Sequence, residues 1–268
     1  MSSNESTKKV LFVALGVCLV CSILVSAATV SLRSRQERNK ELDKVKNILA
    51  AGELLDEQQD VVKIFHEKIK MVVVDLSNGQ ILQQENFPKG LDAENFNIKE
   101  VADNSQLGMD IPDEHDLARI NRMPRYMAVY EVMEFGSIEK VILPIYGKGL
   151  WSTLYGFLAL GKDLNTVEGI TFYEHGETPG LGGEVDNPNW KALWKGKMAF
   201  DDAGNVALTV IKGKVDPSEE KARHQIDGLS GSTLTTRGLD AMVKFWLGDQ
   251  GYGAFLKQLK KDNTHEQG

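Results

Sequence analysis

The sequence predicts an α+β fold, a largely antiparallel β-sheet with packed helices, preceded by one N-terminal transmembrane helix. Three observations predict it. Val10 to Leu32 is apolar and holds no charged residue. Between Tyr126 and Tyr173, β-rich runs alternate with turn residues. From about Thr235 to Leu247 the apolar positions Leu239, Met242, Val243 and Trp246 return at helical spacing.

Length and charge bound the function. A chain of 268 residues accommodates one large domain, or one domain with an accessory segment. With 42% apolar and 26% charged residues it can bury a sizeable core. A net charge of −7 leaves no basic surplus to neutralise phosphates, so no nucleic-acid partner is expected. Both cysteines, Cys18 and Cys21, fall in the apolar run, where they read as small apolar residues of a helix. The rest of the chain has no disulfide, thiolate nucleophile or cysteine metal ligand.

The expected organisation is a short tail at 1–9, the transmembrane helix at 10–32, a helical linker at 33–60 and an α+β domain at 61–268. As a helix, 10–32 reaches roughly 35 Å at about 1.5 Å per residue, enough to cross a hydrocarbon core about 30 Å thick. Lys8 and Lys9 before the run and Ser26-Ala27-Ala28 within it also suit a cleaved signal peptide. The run is longer than the apolar core of such peptides, about 7–15 residues, which favours a retained single span in contact with membrane lipid. Arg33, Arg35, Arg38 and Lys40 follow the span. The basic-residue rule would therefore place the large domain in the cytoplasm, although the rule weakens before a long domain.

In the linker, Leu42, Val45, Leu49, Leu54 and Leu55 mark a helical stripe with Gly52 as a break. Val62, Phe65 and Ile69 mark a second helix, with Val61 and Ile64 beside them. Met71 to Leu82 reads as a hairpin turning at Ser77-Asn78-Gly79. The polar, aperiodic stretch from Phe87 to Asp116 reads as loop. Strands are expected at Met127 to Met133, Glu139 to Ile145, Thr153 to Leu160, Val167 to Tyr173 and Asn205 to Ile211, and the last helix at Thr235 to Leu247.

Three loops hold more glycine than hairpins need: Gly147 to Trp151 (GKGLW), His175 to Glu184 (HGETPGLGGE) and Asp227 to Thr236 (DGLSGSTLTT). The third opens a helix. Its glycines let backbone N–H groups approach an anion, and the hydroxyls of Ser230, Ser232, Thr233, Thr235 and Thr236 could add donors at the positive helix end. The plainer reading is that Ser and Thr only cap the helix. Neither a Walker A motif nor a GxGxxG fingerprint is present. His175 and Glu177 stand two apart on one loop, without the spacing of a zinc helix, so no metal is expected. Trp151 beside a glycine pair could be a platform for a ring, or simply core.

Asp227 to Thr233, DGLSGST, resembles the flavinylation motif Asp-x-x-Ser/Thr-Gly-Ala-Thr of FMN-binding domains. GKGLW and HGETPGLGGE resemble loops of the same domain. Together with the span and the length, they make the chain similar to the C subunits of sodium-translocating NADH:quinone reductases, the Nqr complexes. The resemblance implies one covalent FMN, held on Thr233 by a phosphodiester and attached by a flavin transferase that reads Asp227, Ser230 and Gly231. It implies that Trp151 and Leu181 pack the isoalloxazine ring and that Thr178, Gly180 and Gly182 border it. Ser232 departs from the family's alanine; it adds a hydroxyl beside Thr233 and puts the efficiency of modification in question.

The chemistry is consistent with that resemblance, since a threonine hydroxyl is a weak nucleophile at neutral pH without an activating base. The implied function is relay of electrons from NADH toward quinone, coupled to sodium export, in a six-subunit inner-membrane complex. The chain itself would have no NADH site, and its domain would lie in the periplasm, against the charge count. The span holds no carboxylate, so it does not read as the ion path. The G subunit of the Rnf complex shares the motif and the span, and the long region before Tyr126 favours Nqr. A membrane-anchored sensor of free FMN and a flavin-free assembly module are the other readings.

Overall fold

Helix α1 runs without interruption over Thr7–Ala51. The structure, a computed structural model, describes residues 7–56 and 58–265, with side chains to 262. Residues 1–6 of the expected tail lie outside them. The chain divides into two units, Met1–Lys44 and Val45–Gly268. In the first, every residue from 10 to 32 is exposed along a helix long and apolar enough to cross a membrane, with mean hydropathy 2.8 over its most apolar window. An exposed apolar helix is what a lipid environment requires of its surface.

The second unit begins at Val45, whereas the sequence pattern places its start at 61. The reason lies in the helical stripe: Ile48, Leu49 and Ala51 are buried in the core of this unit. Gly52 follows the end of α1, as its sequence position suggests, and packs close to the sheet. A Cβ there would stand 2.9 Å from Ile142 Cδ1. The left-handed turn falls on the next residue, Glu53, at φ 58°.

Asp60 caps α2 (Val61–Lys68), its carboxylate accepting from the N–H groups of Val62 and Lys63. The buried face of α2 is Ile64, with Phe65 half-buried; Val62 points outward and Ile69 already belongs to the sheet. The expected hairpin forms between β1 (Ile69–Asp75) and β2 (Gln80–Leu82). Residues 87–116 are more structured than their polarity suggests. They include α3 (Ile98–Asp103) and β3 (Gly108–Asp110), the latter paired with β4 (Arg122–Pro124), and they bury Phe96, Ile98, Val101 and Leu107. A helix of six residues is too short to establish a period in sequence.

Strands β5 (Tyr126–Glu134), β6 (Ser137–Lys148), β7 (Thr153–Gly161) and β8 (Val167–Glu174) complete a six-stranded sheet of order β2-β1-β5-β6-β7-β8. Every neighbouring pair is antiparallel. Beyond it come α4 (Pro188–Ala192), β9 (Thr209–Val210), β10 (Gln225–Ile226), α5 (Thr233–Leu247) and α6 (Gly253–His265). The strand expected at Asn205 to Ile211 shrinks to β9, paired in parallel with β10, because Ala207 and Leu208 donate back to the Ala199 carbonyl. Helix α6 lies beyond the last helix that the sequence pattern identifies. Gly251 and Gly253 punctuate its start and its surface is polar, yet Phe255, Leu256 and Leu259 bury one side.

Helix α5 is fastened by aromatic packing. Trp246 is fully buried, donates from Nε1 to the Tyr146 carbonyl at 2.6 Å, and stands 5.0 Å from the Tyr146 ring and 5.4 Å from that of Tyr252. That contact anchors the C-terminal end of the helix, whose first turn overlaps the third glycine-rich loop.

The β5–β6 turn is a two-residue loop, Phe135-Gly136, with φ 49° and 84°. Phe135 is fully exposed and holds a left-handed conformation that disfavours an aromatic residue. Phe135→Asn supplies the preferred Asn-Gly pair and is expected to stabilise the unit by about 0.5–1 kcal/mol. The thermal midpoint of the full chain in detergent measures it; an unchanged or lower midpoint contradicts the assignment of the turn.

Candidate functional site

The three glycine-rich loops converge. Residues 149–152 turn β6 into β7, closed by Gly149 N donating to the Ser152 carbonyl at 2.8 Å. Residues 175–187 leave β8 for α4, folded back by Leu181 N and Gly183 N onto the Thr178 carbonyl at 3.1 and 2.9 Å. His175 Nε2 braces that loop on Asp186 Oδ2 at 2.8 Å. Residues 227–232 lead into α5. Gly231 takes φ +72° just before the helix, with Leu181 Cδ2 3.1 Å from where its Cβ would lie.

Between the loops is a cleft of about 250 Å³, lined by Leu150, Trp151, Glu177, Thr178, Leu181, Gly182 and residues 231–234. Of the residues that the resemblance implies, Trp151, Thr178, Leu181, Gly182, Gly231, Ser232 and Thr233 meet there. Asp227, Ser230 and Gly180 do not line it. Asp227 works behind it: Oδ1 accepts from Val215 N at 2.8 Å, and its carbonyl accepts from Trp190 Nε1 at 2.9 Å. Ser230 and Gly180 are exposed.

Two surfaces of the cleft differ in kind. Leu150, Trp151, Leu181 and Leu234 stay 39%, 69%, 44% and 53% exposed, an apolar rim that costs free energy in water and suits a flat aromatic ring. The other surface is the start of α5. Its first intrahelical bond is Thr236 N to the Ser232 carbonyl at 3.0 Å, and the N–H groups of Thr233, Leu234 and Thr235 have no acceptor among the described residues, as at any helix start. Thr233 opens the helix, half-buried, and its side chain makes no hydrogen bond among the described residues.

The neighbouring hydroxyls face inward, contrary to the expectation that they add donors to an anion. Ser232, buried, donates from Oγ to Thr235 Oγ1 at 2.8 Å; Thr235 donates to Glu177 Oε2 at 2.7 Å; Thr236 donates to the Ser232 carbonyl at 3.0 Å. Ser232 does not cap the helix with its side chain either. The hydroxyl that this chain has in place of a methyl is thus engaged, and it does not compete with Thr233 for solvent.

Glu177 is the residue that sequence reasoning missed. Its buried carboxylate accepts from the N–H groups of Leu150, Trp151 and Ser152 at 3.2, 2.9 and 3.0 Å, and from Ser152 Oγ at 3.1 Å. Burial alone would favour the neutral acid. The Thr235 hydroxyl and the three N–H groups outweigh it and hold the carboxyl below the usual carboxylate range. A depressed folded value means that the stabilisation is present above the unfolded carboxylate range and lost as pH falls through the folded value. The signal in sequence was an acidic residue inside a glycine-rich loop, with no basic side chain on that loop other than His175 to pair with it.

A cleft joining a helix start to an apolar rim suits a ligand that carries both a phosphate and a flat ring. The family model of the FMN-binding domain matches residues 149–248, which takes in all three loops and α5. The chain belongs to the family of the C subunits of Na+-translocating NADH-quinone reductases. It is 48% identical over 264 residues to the C subunit of Pseudomonas aeruginosa, covering 97% of this chain and 99% of the relative. It is 41% identical to that of Vibrio parahaemolyticus, covering 97% of each. The crystal structure of Shewanella oneidensis NqrC matches with TM-score 0.74 at 33% identity, covering 84% of this chain and 99% of the other. The crystal structure of the Parabacteroides distasonis relative, of the same family, matches with TM-score 0.62 at 28% identity, covering 84% and 96%.

Proposed function

We propose that this chain is the electron-carrying C subunit of a sodium-translocating NADH:quinone oxidoreductase, holding one FMN as a phosphodiester on Thr233. The observation that carries the reading is the position of Thr233: a hydroxyl with no hydrogen bond among the described residues, at the first residue of α5, inside a cleft with helix-start donors on one side and an apolar rim on the other. FMN, when bound, supplies one- and two-electron redox chemistry in a form that the ester bond keeps from dissociating.

The chain's own residues divide the remaining work. The free N–H groups and the positive end of α5 favour a phosphate at Thr233. Trp151, Leu181, Leu150 and Leu234 offer the apolar contact that a ring needs, and Thr178 and Gly182 border it. Asp227, Ser230 and Gly231 shape the loop that a flavin transferase reads. Among the described residues that line the cleft, the one titratable side chain is Glu177, and its carboxylate is saturated by its own donors. Activation of the hydroxyl is therefore left to the transferase.

Membership of the family supports assembly with the other members of a six-subunit enzyme in the inner membrane of a Gram-negative bacterium, with α1 as a single-pass anchor. NADH is oxidised and quinone reduced elsewhere in that enzyme, and the domain faces the periplasm. A single cysteine at exposed Ser218 (Ser218→Cys, with Cys18 and Cys21 changed to alanine) tests the last point in intact cells. Labelling by a membrane-impermeant maleimide is expected; labelling only after lysis would put the domain in the cytoplasm.

The flavin itself is tested by expressing the full chain with and without a flavin transferase and denaturing it in acid. Fluorescence that stays with the denatured chain, and only when the transferase is present, is expected. Flavin released on denaturation would favour a sensor of free FMN. No flavin in either preparation would leave the assembly-module reading.

A further inference from the structure

We infer that Glu177 is the positioning residue of the cleft: one buried carboxylate holds the β6–β7 turn and the start of α5 together, and sets a fixed negative charge in the cleft wall. The second half rests on the flavin reading above; the first does not.

The geometry is that of a built-in anion. Three successive N–H groups, of Leu150, Trp151 and Ser152, form a concave nest of the kind that binds free anions, and Glu177 fills it from another loop. Its second oxygen takes the Thr235 hydroxyl, which in turn accepts from Ser232, the residue before Thr233. The carboxylate explains two glycines. A Cβ on Gly149 would lie 2.6 Å from Glu177 Oε1, and one on Gly182 would lie 2.7 Å from both Glu177 Oε2 and Thr235 Oγ1. Each loop is glycine where it passes the carboxylate.

Among the described residues no lysine, arginine or histidine forms an ion pair with Glu177. Its charge is balanced by dipoles alone and remains a net negative charge in the wall of the cleft. Such a charge opposes the addition of electrons to a redox group bound beside it, and so lowers that group's reduction potential.

Glu177→Gln keeps the shape, removes the charge, and turns one acceptor into a donor facing either Thr235 or the nest. The first readout needs no flavin: amide hydrogen exchange of the full chain prepared without transferase. Exchange is expected to rise about tenfold or more at residues 150–152 and at Ser232 and Thr236, the hydrogen-bonded amides of the helix start, together. A rise confined to 150–152, or none, overturns the joining role. Thr235→Val leaves the carboxylate in place and decides the case if the glutamine variant does not fold. Faster exchange at Ser232 and Thr236 then supports the inference, and unchanged exchange overturns it.

The second readout is the midpoint potential of the transferase-loaded protein. Glu177→Gln is expected to raise it by about tenfold in the reduction equilibrium constant, about 30 mV for a two-electron couple. An unchanged potential overturns the electrostatic half. If neither wild type nor variant takes up flavin, the flavin reading fails while the exchange result still stands.

Discussion

Thr233→Leu is expected to remove acid-stable flavin completely while the domain stays folded. Thr233 is half-buried at the first position of α5 and makes no side-chain hydrogen bond among the described residues, so the structure loses little when the hydroxyl goes. A stability change of about 1 kcal/mol or less is expected. Unmodified protein with an unchanged unfolding midpoint is the expected result. The obvious substitute, Ser232, is buried and donates to Thr235, so it should not take over. Flavin retained on the leucine variant would place the linkage on another hydroxyl, with exposed Ser230 the first to examine.

The second large effect lies away from the cleft. Trp246→Ala removes a fully buried indole and leaves the Tyr146 carbonyl without its 2.6 Å donor. Large-to-small changes of this type cost about 3–5 kcal/mol, a large share of the roughly 5–15 kcal/mol that holds a domain together. Since α5 carries Thr233 at one end and Trp246 near the other, flavin loading should fall with stability. Denaturant unfolding of the full chain in detergent measures the first, and acid-stable flavin per chain the second. Trp246→Phe should recover much of both by keeping an aromatic filler. A loss of flavin without loss of stability in Trp246→Ala would assign the indole a direct part in the cleft.

The elements legible in sequence were those with a long period or strong punctuation. The uncharged run in α1, the alternating strands from Tyr126 to Tyr173 and the stripe through Trp246 each repeat often enough to identify themselves. Short elements did not: α3 has six residues, and β9 and β10 two each, so tertiary pairing decides them and local pattern does not. Helix α6 hid behind Gly251 and Gly253, where the chain packs so closely that a Cβ on Gly251 would lie 2.3 Å from the Trp246 carbonyl oxygen.

Within the site, the glycine-rich loops announced themselves, and the residues implied by the family motif are largely gathered at one cleft. What joins them could not be read in the sequence. Thr235 and Thr236 look like donors to an anion until the fold turns their hydroxyls inward. Glu177 looks like a weak metal candidate beside His175 until its donors prove to come from a turn about twenty-five residues earlier, an order of separation that no local window registers. Asp227, which the resemblance implies a flavin transferase reads, secures the loop from behind through Val215 and Trp190.

The most direct test of the central claim is peptide mass spectrometry of the full chain purified from a host that has the flavin transferase. The account predicts an added mass of FMN less water on the peptide containing Thr233, with fragment ions assigning it to that residue. An unmodified Thr233 peptide from the same preparation would contradict it, and would leave the cleft without its covalent flavin.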